Sequence, residues 1–148
     1  MPSTLTSLHF HFVFSTKDRK PFLTPALLPA THAYLGGCIR NADAIPIKIG
    51  GIDDHVHILA RMKPTSCIAD LMRDIKKASS EWLRNEMGQR QFHWQDGYGA
   101  FTVGYSQIDA VRQYIATQAE HHRLKTFEDE YRESLKANGV EFDERYLL

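Results

Sequence analysis

His55-Val56-His57-Ile58-Leu59-Ala60 is an apolar run interrupted by two imidazoles two residues apart. In a β-strand, residues two apart point to the same face. Both rings therefore project together, with Val56 and Ile58 on the opposite face. Downstream, Tyr114 and Gln118 stand four apart in a segment that reads as helix, so they share a face of it. Two imidazoles, an amide oxygen and a phenol converging on one point suggest a metal-assisted tyrosine nucleophile acting on a phosphodiester.

Outward from these residues the chain alternates strand and helix signals. Residues 7–15 are aromatic-rich with early polar alternation and read as a strand. Thr24 and Pro25 open a helix expected over about 25–42. Ala44 to Ile49 is β-rich, and Gly50-Gly51-Ile52-Asp53-Asp54 reads as a turn into the His55 strand. Thr65 or Ser66 then caps a long amphipathic helix to about Met87, in which Ile68, Leu71, Met72, Ile75, Ala78 and Leu83 recur near helical period. A loop over 89–100 and a short strand from Ala100 to Tyr105 follow. Ser106 caps a helix over about 106–122, and Phe127 to Ala137 is a further helix. The order β-α-β-β-α-β-α-α predicts an α+β domain, a mostly antiparallel sheet with helices packed on it.

Length and composition fit one globular domain over residues 1–148: 43% of residues are hydrophobic and 24% charged. No run approaches the roughly 18 apolar residues of a membrane span. A secretory leader is not expected, and Cys38 and Cys67 lack metal or disulfide spacing. These features predict a cytoplasmic protein with reduced thiols. The net charge is zero, but it is unevenly spread. Residues 126–148 form an acidic C-terminal segment with seven acids against three bases, leaving fifteen bases and eleven acids on residues 1–125. A mildly basic body of that kind can bind DNA through local patches.

Each candidate residue also has a plainer reading. His9 and His11 repeat the i, i+2 spacing of His55 and His57, so a pair of half-exposed sheet histidines is the alternative to a metal site. Nitrogen and amide-oxygen donors with open positions suit Mg²⁺ or Mn²⁺ polarising a phosphate oxygen. Tyr114 is either the nucleophile or a core-facing helix tyrosine; its phenol, with a pKa near 10, requires activation. His121 reads as a solvent-facing cation near a helix end, and His122, four residues past Gln118, is left open between that and the site. Lys17, Arg19 and Lys20 form a basic group in the first turn, and Arg73, Lys76 and Lys77, within one helical turn, would track a phosphate backbone or line a solvated helix face. Trp94, Tyr98 and Phe101 would stack on splayed bases or anchor a loop.

Taken in order, the motifs resemble those of the small single-tyrosine transposases of the HUH superfamily, of the insertion sequence 200 and 605 type, and the related REP-associated tyrosine transposases. The resemblance runs through His11-Phe12-Val13-Phe14-Ser15-Thr16-Lys17, Gly51 to Leu59, Asp74-Ile75-Lys76-Lys77-Ala78-Ser79-Ser80 and Trp94 to Phe101. It closes with Val111-Arg112-Gln113-Tyr114-Ile115-Ala116-Thr117-Gln118 and Asp143-Glu144-Arg145-Tyr146-Leu147. It implies an HUH endonuclease fold, a ferredoxin-like sheet like that of RNA-recognition modules, with the HUH strand at about 55–61 and the tyrosine helix at about 106–122. It also implies that His55, His57 and Gln118 hold a divalent metal, Mg²⁺ or Mn²⁺. Tyr114 would attack single-stranded DNA to give a 5′-phosphotyrosine link and a free 3′-hydroxyl, with strand transfer reversing that chemistry. Lys17, Arg19, Arg73, Lys76, Lys77 and Arg112 are the DNA contacts expected on this reading. Homodimers binding hairpin ends are implied, with the cleavage site chosen partly by base pairing within the DNA.

Two further readings stay in view. One is a domesticated, non-catalytic DNA-binding or regulatory protein on the same fold. The other is an HUH nickase such as a replication initiator or relaxase, against which the absence of a helicase or partner segment argues.

Overall fold

The computed structural model describes residues 3–147. Strands β1 (His9–Ser15), β2 (Ile45–Ile52), β3 (His55–Arg61) and β4 (Gly99–Val103) form one antiparallel sheet in the order β2-β3-β1-β4. Helix α1 (Leu28–Asn41) joins β1 to β2, and α2 (Ile68–Asn85) joins β3 to β4. Helices α3 (Ile108–Ala116), α4 (Gln118–His121) and α5 (Phe127–Ala137) follow. This is the α+β, ferredoxin-like arrangement expected from the sequence.

Strand alternation sorts the two faces. Phe12 and Phe14 of β1 and Val56, Ile58 and Ala60 of β3 point to one side, where Leu35 and Ile39 of α1 and Leu71, Met72, Ile75 and Leu83 of α2 cover them. Burying each of these larger side chains contributes about 1.5–3 kcal/mol, which makes this the main core. The opposite face carries His9, His11, Val13, His55, His57 and Leu59. Ile115 packs there on Leu59 and Val103, while Phe127, Tyr131 and Leu135 pack on Val13 and Phe101. The imidazoles are thus sealed between the sheet and the C-terminal helices rather than left half exposed.

The structure revises several boundaries. Gly50, Gly51 and Ile52 continue β2 and pair with His57, Val56 and His55, so only Asp53 and Asp54 turn. These glycines allow close approach: a Cβ on Gly50 would lie 2.5 Å from the Ile115 carbonyl oxygen, and one on Gly51 would lie 2.2 Å from that of His55. Residues 25–27 form a turn, and α1 starts at Leu28 with Pro29 in its first turn, a position that lacks an N–H partner anyway. α2 starts after Cys67, without a side-chain cap from Thr65 or Ser66.

The expected continuous helix over 106–122 is interrupted. A 3-10 turn at Tyr105–Gln107 replaces the Ser106 cap, and Thr117 separates α3 from α4. The Thr117 hydroxyl donates to the Gln113 carbonyl at 2.9 Å, the back-bonding that bends helices at threonine. α5 has the expected bounds, and the Thr126 side chain accepts from the Asp129 N–H at 3.2 Å.

Candidate active site

His55 and His57 leave β3 on the same side, as alternation requires, and both are buried. Phe127 stacks on the His55 ring with centroids 4.3 Å apart, sealing it from water. Across the break at Thr117, Tyr114 and Gln118 still face the histidines. The Gln118 amide oxygen lies 2.8 Å from His55 Nε2 and 3.0 Å from His122 Nε2. The four residues singled out from the sequence therefore meet in space.

Their meeting point is the carboxylate of Glu130, on α5. Its Oε1 lies 3.0 Å from His57 Nε2, 3.2 Å from His122 Nε2 and 3.6 Å from His55 Nε2. Its Oε2 accepts the Gln118 Nε2–H at 3.0 Å and the Tyr114 hydroxyl. Sequence reading placed Glu130 only within an acidic segment. The available signal was its spacing: it stands three residues after Phe127 and one before Tyr131, on the apolar face of the helix.

The outer nitrogen of each ring is also held. His55 Nδ1 lies 2.7 Å from Asp54 Oδ1, and His122 Nδ1 lies 2.8 Å from the Lys125 carbonyl oxygen. His57 Nδ1 lies 2.8 Å from His11 Nε2, across the β1–β3 pair. His11 is thus a support for the site that its i, i+2 pattern with His9 did not reveal. An outer nitrogen that donates its proton to an oxygen leaves the inner Nε2 with a lone pair.

The charges respond to this enclosure. Burial, reinforced by His57, pushes His11 down to about 3. Burial also takes His57 down to about 4, against the opposing pull of Glu130. Burial is the largest influence on Glu130 and His122 and disfavours their charged forms, but their mutual hydrogen bond together with the other hydrogen bonds and charges around them outweighs it. The Glu130 carboxyl is held well below the usual range, and the His122 imidazole is raised. Burial, followed by the Glu130 carboxylate, lifts the Tyr114 phenol above its ordinary value, so this arrangement keeps it protonated.

The donor set fits a cation. His55, His122 and Glu130 each offer a ligand atom within 4.8 Å of the others, and the Gln118 oxygen faces both imidazoles. The inner atoms are nitrogen lone pairs and oxygens gathered in a buried space, which a proton or a metal ion must balance. Oxygen and imidazole ligands with their second atoms fixed are typical of a divalent metal site.

The remaining expectations fall in different places. Lys17, Lys77 and Arg112 are exposed, and their side chains form no hydrogen bond or ion pair among the described residues. Arg73 pairs with Asp70 and Asp74, and Arg19 pairs with Glu128 at 2.6 Å. The Lys76 ammonium donates to the Gln95 and Gly97 carbonyls, each at 2.7 Å, and so holds the loop before β4. Trp94 is buried, with its indole N–H donating to Ser79 at 2.9 Å, and Phe101 packs under α5. Both anchor structure, and of the three aromatics only Tyr98 is exposed. His121 faces solvent as expected, while His122 turns into the site.

The family described as "Transposase IS200 like" matches residues 4–118. A crystal structure from Deinococcus radiodurans R1, described provisionally as a transposase, superposes with a TM-score of 0.63 at 20% identity, covering 80% of this chain and 95% of that one. A REP-associated tyrosine transposase bound to a REP hairpin superposes with a TM-score of 0.62 at 13% identity, covering 82% and 72%. At such identities these likenesses speak for the fold. No curated protein gives a significant match. No helix among the described residues is long and apolar enough to cross a membrane.

Proposed function

The chain belongs to the IS200-like transposase family, and from that premise we propose that it cleaves and rejoins single-stranded DNA with Tyr114 as nucleophile. The observation that supports this most is the convergence of Tyr114, Gln118, His55 and His57 on one buried point, from a helix pair and a strand that are far apart in sequence.

His55, His57 and Gln118 are the proposed ligands of a divalent cation. Such a cation, Mg²⁺ or Mn²⁺, would supply positive charge to the scissile phosphate and to the departing 3′-oxygen. The Tyr114 Oη forms the new bond to phosphorus as the bond from phosphorus to the 3′-oxygen breaks. The phenol gives up its proton and the 3′-oxygen gains one. The product is a 5′-phosphotyrosine and a free 3′-hydroxyl, and the reverse reaction with another 3′-hydroxyl is strand transfer.

Asp54, the Lys125 carbonyl and His11 orient the three imidazoles from behind. Ile115, seated on Leu59 and Val103, fixes the height of the tyrosine helix above the sheet. Of the expected DNA contacts, Lys17, Lys77 and Arg112 are free among the described residues to reach phosphates, with Arg19 and Arg73 available once their surface ion pairs open. Such exposed pairs contribute little stability, typically under about 1 kcal/mol. A DNA hairpin is the proposed partner because a fold relative is hairpin-bound, and a homodimer is the proposed assembly.

Covalent trapping tests the reading. The protein is incubated with labelled single-stranded DNA carrying its flanking genomic hairpins, with Mg²⁺ or Mn²⁺, and run on a denaturing gel. The expected result is a metal-dependent shifted band that is absent in Tyr114→Phe. DNA binding without adduct under any metal would refute the proposed chemistry and favour a binding protein on this fold.

A further inference from the structure

Glu130 stands beyond residue 118, where the family match ends, yet it occupies the centre of the site. It is 4% exposed, and its two oxygens contact side chains from β3, α3, α4 and the residue after α4. The carboxylate is not carried by a loose tail. Phe127, Tyr131 and Leu135 pin α5 to Val13 and Phe101 of the sheet, and Glu128 pairs with Arg19 from the turn after β1. His122 is equally committed, with a side chain 4% exposed.

Two atoms identify the role of this pair. His122 presents Nε2 to the same Gln118 oxygen that faces His55 Nε2, at 3.0 Å and 2.8 Å. Glu130 Oε1 lies within 3.6 Å of the inner nitrogens of His55, His57 and His122. The carboxylate oxygen thus stands among three imidazole nitrogens, the Gln118 oxygen lies beside two of them, His55, His122 and Glu130 keep their ligand atoms within 4.8 Å of one another, and the outer nitrogens are already occupied. A site that relied on His55, His57 and Gln118 alone would use neutral ligands throughout. An anionic oxygen is the element such a set lacks for a divalent cation.

We propose that Glu130 and His122 are ligands of the divalent cation, so that α5 and the end of α4 complete the site that β3 and Gln118 begin. This rests on the metal-site reading given above and extends it to the segment outside the family match. Imidazoles beside one carboxylate favour transition metals, Co²⁺ and Zn²⁺ first and the harder Mn²⁺ after them, over Mg²⁺, which prefers oxygen and retained water.

The test is Mn²⁺ binding to the full chain, free of DNA, measured by isothermal titration and by pulsed electron paramagnetic resonance, which counts coordinated imidazoles. Wild type is expected to bind Mn²⁺ through three imidazole nitrogens. Glu130→Gln, nearly identical in shape, is expected to bind at least about tenfold more weakly. His122→Ala is expected to show the same loss and one imidazole fewer. Glu128→Gln, whose carboxylate faces Arg19 on the outside of α5, serves as the control with unchanged affinity. Should Glu130→Gln prove unfolded by circular dichroism, the His122→Ala imidazole count decides. Wild-type binding with Glu130→Gln equal or tighter, or with His122→Ala showing no lost nitrogen, overturns the proposal while leaving a metal on His55, His57 and Gln118. Absence of Mn²⁺ binding in the wild type overturns both.

Discussion

Replacing Gly50 by alanine adds one methyl group at the point where the tyrosine helix rests on the sheet. The new Cβ would stand 2.5 Å from the Ile115 carbonyl oxygen and 2.7 Å from Ile115 Cγ2. Neither atom can swing away: the carbonyl belongs to α3, and Ile115 is 1% exposed, wedged on Leu59 and Val103. The nearer contact is about 0.9 Å short of ordinary van der Waals separation. Relief therefore requires α3 to lift or tilt by roughly that distance. Overpacking of this kind costs about 1–3 kcal/mol, which urea unfolding will read as a lower midpoint at an unchanged slope. Tyr114 adjoins Ile115 and moves with it. A misplacement of about 1 Å in a reacting group lowers rates on the order of 100-fold. Single-turnover formation of the covalent DNA adduct, under conditions where the variant is fully folded, should fall by about that factor. Adduct formation within twofold of wild type, at wild-type stability, would refute the claim that Gly50 sets the height of the nucleophile.

Acid should destabilise the metal-free protein earlier than carboxylate titration alone would. His57 and His11 titrate at about 4 and about 3 in the fold against an ordinary 6.5, chiefly because they are buried, so the unfolded chain takes up protons first. Stability therefore falls as pH drops below 6.5, by about 1.4 kcal/mol per pH unit for one such group. His122, raised in the fold, works the other way and is stabilising below its unfolded value. Glu130, depressed in the fold, adds its own loss below about 4.5. Urea midpoints from pH 7.5 to 4 in EDTA should show this decline, and a flat profile down to pH 5 would contradict it. Ser79→Ala should leave the Trp94 indole N–H without an acceptor in the core, lowering stability by about 1–3 kcal/mol while adduct formation per folded molecule stays the same. A loss under about 0.5 kcal/mol, the range typical of surface changes, would show that the indole finds another acceptor.

Much of this was readable from residue order because its causes are local. Alternation in β3 put both histidines on one side and Val56 and Ile58 on the other, and the structure keeps that division. The spacing of Tyr114 and Gln118 survived even though the helix carrying them breaks at Thr117, since a change of direction between them left both turned toward β3. What escaped depended on long-range packing. Gly50 and Gly51 carry a turn composition, but their lack of Cβ serves a helix that crosses the strand and a neighbouring carbonyl. Glu130 belongs by composition to an acidic surface, and only the docking of α5 makes it interior. His11 repeats with His9 the spacing of His55 and His57 and so makes that spacing less distinctive, yet the register of β1 against β3 sets it behind His57.

The strand order also bears on how the chain is made. β1 lies inside the sheet, between β3 and β4, and pairs His9 with Arg61 on one side and with Val103 on the other. Its partners are therefore synthesised long after it, and pairings of such sequence separation are slow to close. Until then His9-Phe10-His11-Phe12-Val13-Phe14-Ser15 is an aromatic, β-prone segment without proline or a formal charge, the type that seeks strands on other chains. Yield of soluble protein should thus be governed by how fast β3 reaches β1, and slower, cooler expression favours the intramolecular partner over a neighbouring nascent chain.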